Sequence, residues 1–281
     1  MPVRPSPRRP FVSILHRSIV AVVASLALVG LLGSCAGERP SLGKQAPVTT
    51  AAKGSTTSTS SSAPPATVPA PVVPGPDTLL GYIATPTAKP VVRAEPRDDA
   101  PAIDIPAVTA LGAPTTLAVL GDATTAAGGG WYQVVLPTRP NGATGWVPAA
   151  SVTITKTPFR LFIDLEGRAL RVEKDGTAVM NSKIAIGTSE NPTPVGASYL
   201  TELIDNVEPG GAYGPYAFGL ALHSDTLTEF AGGPGQVGIH GTNKPELIGD
   251  RVSSGCIRLT NDGVGQLVDF QLPLGAPVLI T

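Results

Sequence analysis

From Phe159 to Gly187 the chain reads FRLFIDLEGRALRVEKDGTAVMNSKIAIG, and no other stretch constrains the fold as much. Apolar and polar residues alternate along FRLFIDL and again along RALRVEK, the two-residue period of a half-buried strand. Asp175-Gly176 falls between two such runs, where a two-residue hairpin loop needs residues that accept positive φ. The segment therefore seeds an antiparallel sheet. Further strand-like runs follow in NPTPVGASYLTELI, YAFGLALHS and QVGIHG, the last carrying His240 to a strand end. One helix is predicted, in NDGVGQLVDFQ, where Val264, Leu267 and Val268 share a face and Asn261 is placed to cap it. The fold class expected is mainly β.

Residues 77–155 carry shorter pieces of the same kind: LLGYIA, PVVRAEP, TTLAVLG, WYQVVLP and TGWVPAASV, separated by Pro and Gly turns. This is the pattern of a small β-barrel. Trp131 and Trp146 fit its packing or edge better than a ligand platform. Residues 36–76 contain no aromatic residue and are dominated by Ala, Pro, Ser and Thr. Such a segment cannot bury enough apolar area to offset the entropy of ordering, so it is expected to be a disordered tether. A mixed coil and polyproline chain of that length spans on the order of 40–100 Å.

Residues 1–35 resemble an export signal. Arg4, Arg8, Arg9 and Arg17 precede the apolar run SIVAVVASLALVGLL, which is short for a membrane-spanning helix and leads into LGSC, ending at Cys35. LGSC is similar to a bacterial lipobox, whose cysteine receives a diacylglycerol and becomes the mature N-terminus. That similarity implies a protein held by lipid to the extracytoplasmic face of a cell membrane. The formal net charge of −1 offers no basic excess for nucleic acid, so DNA and RNA are excluded as expected partners.

The chain has 2 cysteines, so with Cys35 carrying lipid, Cys256 has no intrachain partner. A free cysteine in an exported protein points to a reactive thiol. His240 stands 16 residues earlier, and the intervening GTNKPELIGDRVSSG is too irregular for a helix; a loop that leaves a strand end and returns near it brings the two side chains together. A histidine within hydrogen-bond reach can take the thiol proton and hold the thiolate as an ion pair. Gly255 permits a tight turn before Cys256, aiming the N–H groups of Ser254, Gly255 and Cys256 at one spot, the geometry of an oxyanion hole. Tyr213 and Tyr216 lie in a Gly-rich loop, with a substrate-gorge role and simple packing both open. His223 reads as a strand-edge residue. The histidines and cysteines lack metal-ligand spacing, so no metal and no cofactor are expected.

GIHGTNKPELIGDRVSSGCIRLTNDG resembles the signature of the L,D-transpeptidase catalytic domain, the YkuD fold: a His-Gly, a loop, then Ser-His-Gly-Cys followed by an apolar residue and Arg or Asn. IAIGTSENPTPVGASYL is similar to that family's upstream Gly…Thr-Pro-x-Gly segment, and FIDLEGRALRVEKDG to its opening hairpin. The resemblance covers Pro158 to Thr281, and it implies a YkuD-type β-sandwich over residues 156–281 with a short helix after the cysteine. The VVRAEP, GGGWYQVVL and GATGWVPAASV segments resemble a bacterial SH3-like (SH3b) domain over Asp77 to Thr155. Two domains joined by TITKTP are expected, so a fragment beginning near Thr155 is expected to fold alone.

What the YkuD resemblance implies is peptidoglycan chemistry. Cys256 becomes the acyl-accepting nucleophile and His240 its base; Gly241 offers its carbonyl to orient the imidazole; Arg258 shapes the site or meets a substrate carboxylate. A thioester with a tetrapeptide stem, release of D-Ala and transfer to an amine of a second stem would cross-link the wall, and carbapenems are expected inhibitors. One departure stands out: Ser254 occupies the place of the family's second histidine. That substitution keeps a competing expectation open, a non-catalytic wall-binding lipoprotein.

Overall fold

The computed structural model describes residues 79–121, 130–205, 210–230 and 232–281. Cys35, the expected export signal and the whole of the expected tether lie outside them. All described residues belong to one compact unit. Among them, seventeen strands and one α-helix make the fold mainly β, as the alternating patterns require.

The first seven strands are short: β1 (Tyr82–Pro86), β2 (Val92–Arg93), β3 (Ala102–Ile103), β4 (Leu117–Ala118), β5 (Trp131–Val135), β6 (Thr144–Pro148) and β7 (Val152–Lys156). They form two small sheets, ordered β4-β1-β7 and β3-β2-β6-β5, tied by a bridge between Val119 and Val134. The remaining strands are β8 (Phe159–Asp164), β9 (Ala169–Lys174), β10 (Thr177–Lys183), β11 (Ile186–Gly187), β12 (Gly196–Asp205), β13 (Tyr216–His223), β14 (Gln236–His240), β15 (Arg251–Ser253), β16 (Ile257–Arg258) and β17 (Pro277–Ile280). Eight of these build one mixed sheet in the order β10-β9-β8-β17-β12-β13-β14-β16.

Local chemistry accounts for the hairpin at one edge. Asp175 and Gly176 have φ of 51° and 76°, and Lys174 pairs directly with Thr177, so the two-residue loop adopts the positive-φ geometry that Asp-Gly favours. The sheet then curls until its two ends face each other. Leu161, Ile163, Leu170 and Val172 from one end share a core with Phe218, Leu220, Ile239 and Ile257 from the other. The two layers of the expected sandwich are thus the two ends of one continuous sheet.

Helix α1 (Asn261–Asp269) closes this core with Val264 and Leu267. Its cap is Thr260, whose hydroxyl accepts the Gly263 N–H at 3.1 Å, and not Asn261 as the pattern suggested. Asn261 instead reaches back to the loop after His240 and pins it, its Oδ1 accepting the Thr242 N–H at 2.9 Å.

The boundary near residue 155 is not a break in packing. Strand β12 is buried on both faces through its first seven residues. Its Leu200 points into the core just described, while Ala197 and Tyr199, with Ala221 of β13, join Leu79, Val92, Ile105, Leu117 and Val134 of the N-terminal strands in a second core. Polar contacts cross the same seam. Arg139 donates to the carbonyls of Ser224, Leu227 and Pro234, and Asn141 clasps the backbone of His223 from both sides. His223 is therefore a buried residue of this seam, its ring held neutral by burial and by the nearby Arg139 charge.

Candidate active site

Two parallel strands set the site. β14 ends at His240, β16 begins one residue after Cys256, and the pairs Ile239–Ile257 and His240–Arg258 fix the register between them. That register brings Gly238 beside Cys256. The backbone of Gly238 hydrogen-bonds the sulfur and favours its thiolate.

The turn before Cys256 is held by side chains on both sides. Ser253 Oγ accepts the Gly255 N–H at 3.1 Å and donates to the Cys256 carbonyl. From the other side, Thr193 Oγ1 donates to the Gly255 carbonyl at 2.8 Å and accepts the Gly187 N–H at 2.9 Å. Gly255 itself sits at φ +115°, a conformation that L-residues rarely adopt. Because its N–H is spent on Ser253, Gly255 drops out of the oxyanion set expected from sequence. The N–H groups of Ser254 and Cys256 remain.

His240 is buried, and its Nδ1 lies 2.6 Å from the carbonyl oxygen of Gly241. A carbonyl only accepts, so Nδ1 carries the proton and Nε2 presents its lone pair. Burial lowers the His240 pKa to about 4, with the Arg258 charge acting in the same direction. The Cys256 thiol is pushed up, again by burial, against the opposing pull of the Gly238 backbone and Arg258. Desolvation thus works against the ion pair expected from sequence, because it disfavours the charged forms of both thiol and imidazole.

The Tyr213 ring packs tilted against the His240 ring, with centroids 4.7 Å apart and planes at 58°. Glycine makes this approach available. A Cβ at Gly214 would fall 2.8 Å from the Gly241 Cα, so a side chain there would lift the Tyr213 loop off the histidine. Tyr213, His240 and Cys256 line one open cavity of about 360 Å³, together with Glu202, Gly219 and, from the N-terminal strands' loop, Leu111. Arg258 stands across the strand pair from His240, its Nε buried without a partner. Ser254 is exposed and does not line the cavity. Among the described residues no group of three or more His, Cys, Asp or Glu could hold a metal ion, and no helix is long and apolar enough to cross a membrane.

Sequence reasoning missed Thr193, Gly238 and Glu202 as site residues. Thr193 had a signal, since it is the threonine of the quoted Thr-Pro-x-Gly segment. The other two come from strand register, which has no local signature.

The cysteine turn and the backbone-oriented histidine, carried by two parallel strands, open into the same cavity. Residues 158–280 match the YkuD family model, the L,D-transpeptidase catalytic domain. The protein of Bacillus licheniformis named as the L,D-transpeptidase YkuD is 36% identical over 124 residues, which cover 44% of this chain and 66% of that protein. Its namesake in Bacillus subtilis strain 168 is 31% identical over 123 residues, with the same coverage of 44% and 66%. The chain thus spans just under two thirds of the length of these relatives. Among solved structures, L,D-transpeptidase 3 from Mycobacterium tuberculosis, in complex with a faropenem-derived adduct, is 13% identical with a TM-score of 0.39, covering 59% of this chain and 91% of that one. Family model and curated relatives match the same part of this chain and agree on its similarity to a YkuD L,D-transpeptidase catalytic domain.

Proposed function

We propose that this protein is a cysteine-dependent L,D-transpeptidase that cross-links peptidoglycan. The observation that carries the reading is the shared cavity: Cys256 and His240 open into it, the sulfur touching the Gly238 backbone and the imidazole held by Gly241. Cys256 Sγ attacks the carbonyl between the L-centre of a diamino acid and the terminal D-Ala of a tetrapeptide stem, while His240 Nε2 takes the thiol proton. The tetrahedral oxyanion faces the Cys256 N–H group, since Cys256 alone of the three turn residues lines the cavity. Collapse breaks the peptide bond, and the leaving D-Ala amine takes the proton from His240. An amine of a second stem then attacks the thioester, gives its proton to His240, and the Cys256 thiolate recovers it on leaving.

The remaining assignments belong to the same proposal. Cys35 carries a lipid that anchors the chain to the extracytoplasmic face of the membrane, residues 36–76 form the tether, and residues 77–155 form an SH3b-like module. Arg258 supplies a positive charge beside the site that a substrate carboxylate can meet. Incubation of the protein with purified tetrapeptide stems tests the core of the reading: mass analysis should show a thioester at Cys256, free D-Ala and a cross-linked product. A carbapenem should add its mass at the same residue. No adduct from either reagent would reject transpeptidase chemistry.

A further inference from the structure

Glu202 is a carboxylate that the acyl-transfer chemistry leaves unused. It is 2% exposed, yet it lines the cavity that holds Cys256 and His240. Among the described residues no Lys, Arg or His forms an ion pair with it. Among the described residues its side chain takes one hydrogen bond, from the N-terminal part of the chain: Thr109 Oγ1 lies 2.6 Å from Oε2. The Thr109 hydroxyl already accepts the Ala113 N–H at 3.2 Å, so its own proton is free to go to Glu202. A buried carboxylate with one neutral donor is costly to keep unless a cation reaches it.

The sheet aims this group at the nucleophile. Pairing between β12 and β13 shifts register between Leu200 and Glu202, a bulge that turns Thr201 and Glu202 together toward Gly219. Gly219 pairs with Glu202 on one side and Gly238 on the other, and Gly238 meets the Cys256 sulfur. Two strand spacings, roughly 10 Å, separate Glu202 from Gly238. Neither intervening position carries a side chain. A Cβ at Gly219 would fall 2.6 Å from Glu202 Oε1, so the free oxygen lies over the bare backbone between the acid and the thiol.

We propose that Glu202 is the subsite for a primary ammonium group of the peptide substrate, its carboxylate positioned by Thr109 from the loop between β3 and β4. The inference rests on the acyl-transfer reading of Cys256. Two sources share this chemistry: the side-chain amine of the donor stem and the amine of the acceptor.

The test uses the full chain and its Glu202→Gln, Glu202→Asp and Thr109→Val variants, each checked by thermal melting. In one arm, D-Ala release is followed from tetrapeptides whose diamino acid is free or N-acetylated. In the other, the donor is acetylated and the KM for an amine acceptor is measured. Loss of the charge should cut the preference for the free amine, or raise the acceptor KM, by roughly tenfold or more in Glu202→Gln. Glu202→Asp should recover part of the effect, and Thr109→Val should show a smaller loss. The arm that responds names the source. A parent that releases D-Ala, with folded variants that shift neither quantity, overturns the ammonium subsite alone. A parent that neither releases D-Ala nor takes up a β-lactam overturns the transpeptidase reading and the subsite with it.

Discussion

The Nδ1 atom of His240 is 2.6 Å from the carbonyl oxygen of its own neighbour Gly241, and that contact decides which ring nitrogen can receive a proton. With Nδ1 committed, Nε2 is the ring nitrogen left open to a proton. Burial disfavours the charged forms of both this ring and the Cys256 thiol.

Alkylation of Cys256 by iodoacetamide, followed by mass, checks this resting state. The rate should climb with pH through and beyond the ordinary thiol range, because burial raises the thiol pKa. A rate already at its plateau near neutrality would mean a preformed ion pair. His240→Ala should slow acylation by a carbapenem by roughly two to four powers of ten through loss of proton transfer.

Stability should depend on pH in a defined window. The folded-state pKa of His240 is lowered from 6.5 to about 4, so between those values the unfolded chain binds a proton that the folded chain refuses. Stability from this group is complete above 6.5 and falls as pH drops toward 4, by at most about 3 kcal/mol. His223, also lowered by burial, adds to the same slope. Urea denaturation of the parent and a His240→Gln variant at several pH values measures it, and the variant should show the shallower dependence.

Gly255→Ala separates conformation from space. A Cβ there would find its nearest neighbour, the Pro192 carbonyl oxygen, at 3.5 Å, so no clash opposes the methyl. The cost comes from φ +115°, on the order of 1–3 kcal/mol, and relieving it would rotate the peptide ahead of the sulfur. Acylation should fall more than thermal stability does. Thr193→Val acts on the same turn from outside, removing the bonds to Gly187 and Gly255 and leaving buried polar groups unmade, for about 1–3 kcal/mol of destabilisation.

What the sequence discloses here is what neighbours along the chain decide. Asp175-Gly176 announces its hairpin because the loop needs only its own two residues, and His240 with Cys256 stands out because the chain has so few of either type. Gly238 and Glu202 acquire their places from partners on other strands. The same is true of β17, which inserts between β8 and β12 and pairs parallel with the first of them, a choice made by the whole sheet. Asn261 shows the limit even locally: two adjacent polar residues could cap the helix, and the tertiary bond to Thr242 claims one.

Removal of residues 1–155 tests the second core. Tyr199 and Ala197 on β12 and Ala221 on β13 are essentially unexposed, covered by Leu117, Val134 and other residues of the N-terminal strands. Without that cover a two-faced buried strand becomes a one-faced one, and burial of a single large side chain is worth about 1.5–3 kcal/mol. The Arg139 and Asn141 bonds to the β13–β14 connection would go as well. The fragment 156–281 should therefore melt well below the parent, or aggregate, and should regain solubility when Tyr199 and Ala221 are replaced by polar residues. A fragment that keeps the melting temperature of the parent would show that the seam contributes nothing to the stability of the catalytic sheet.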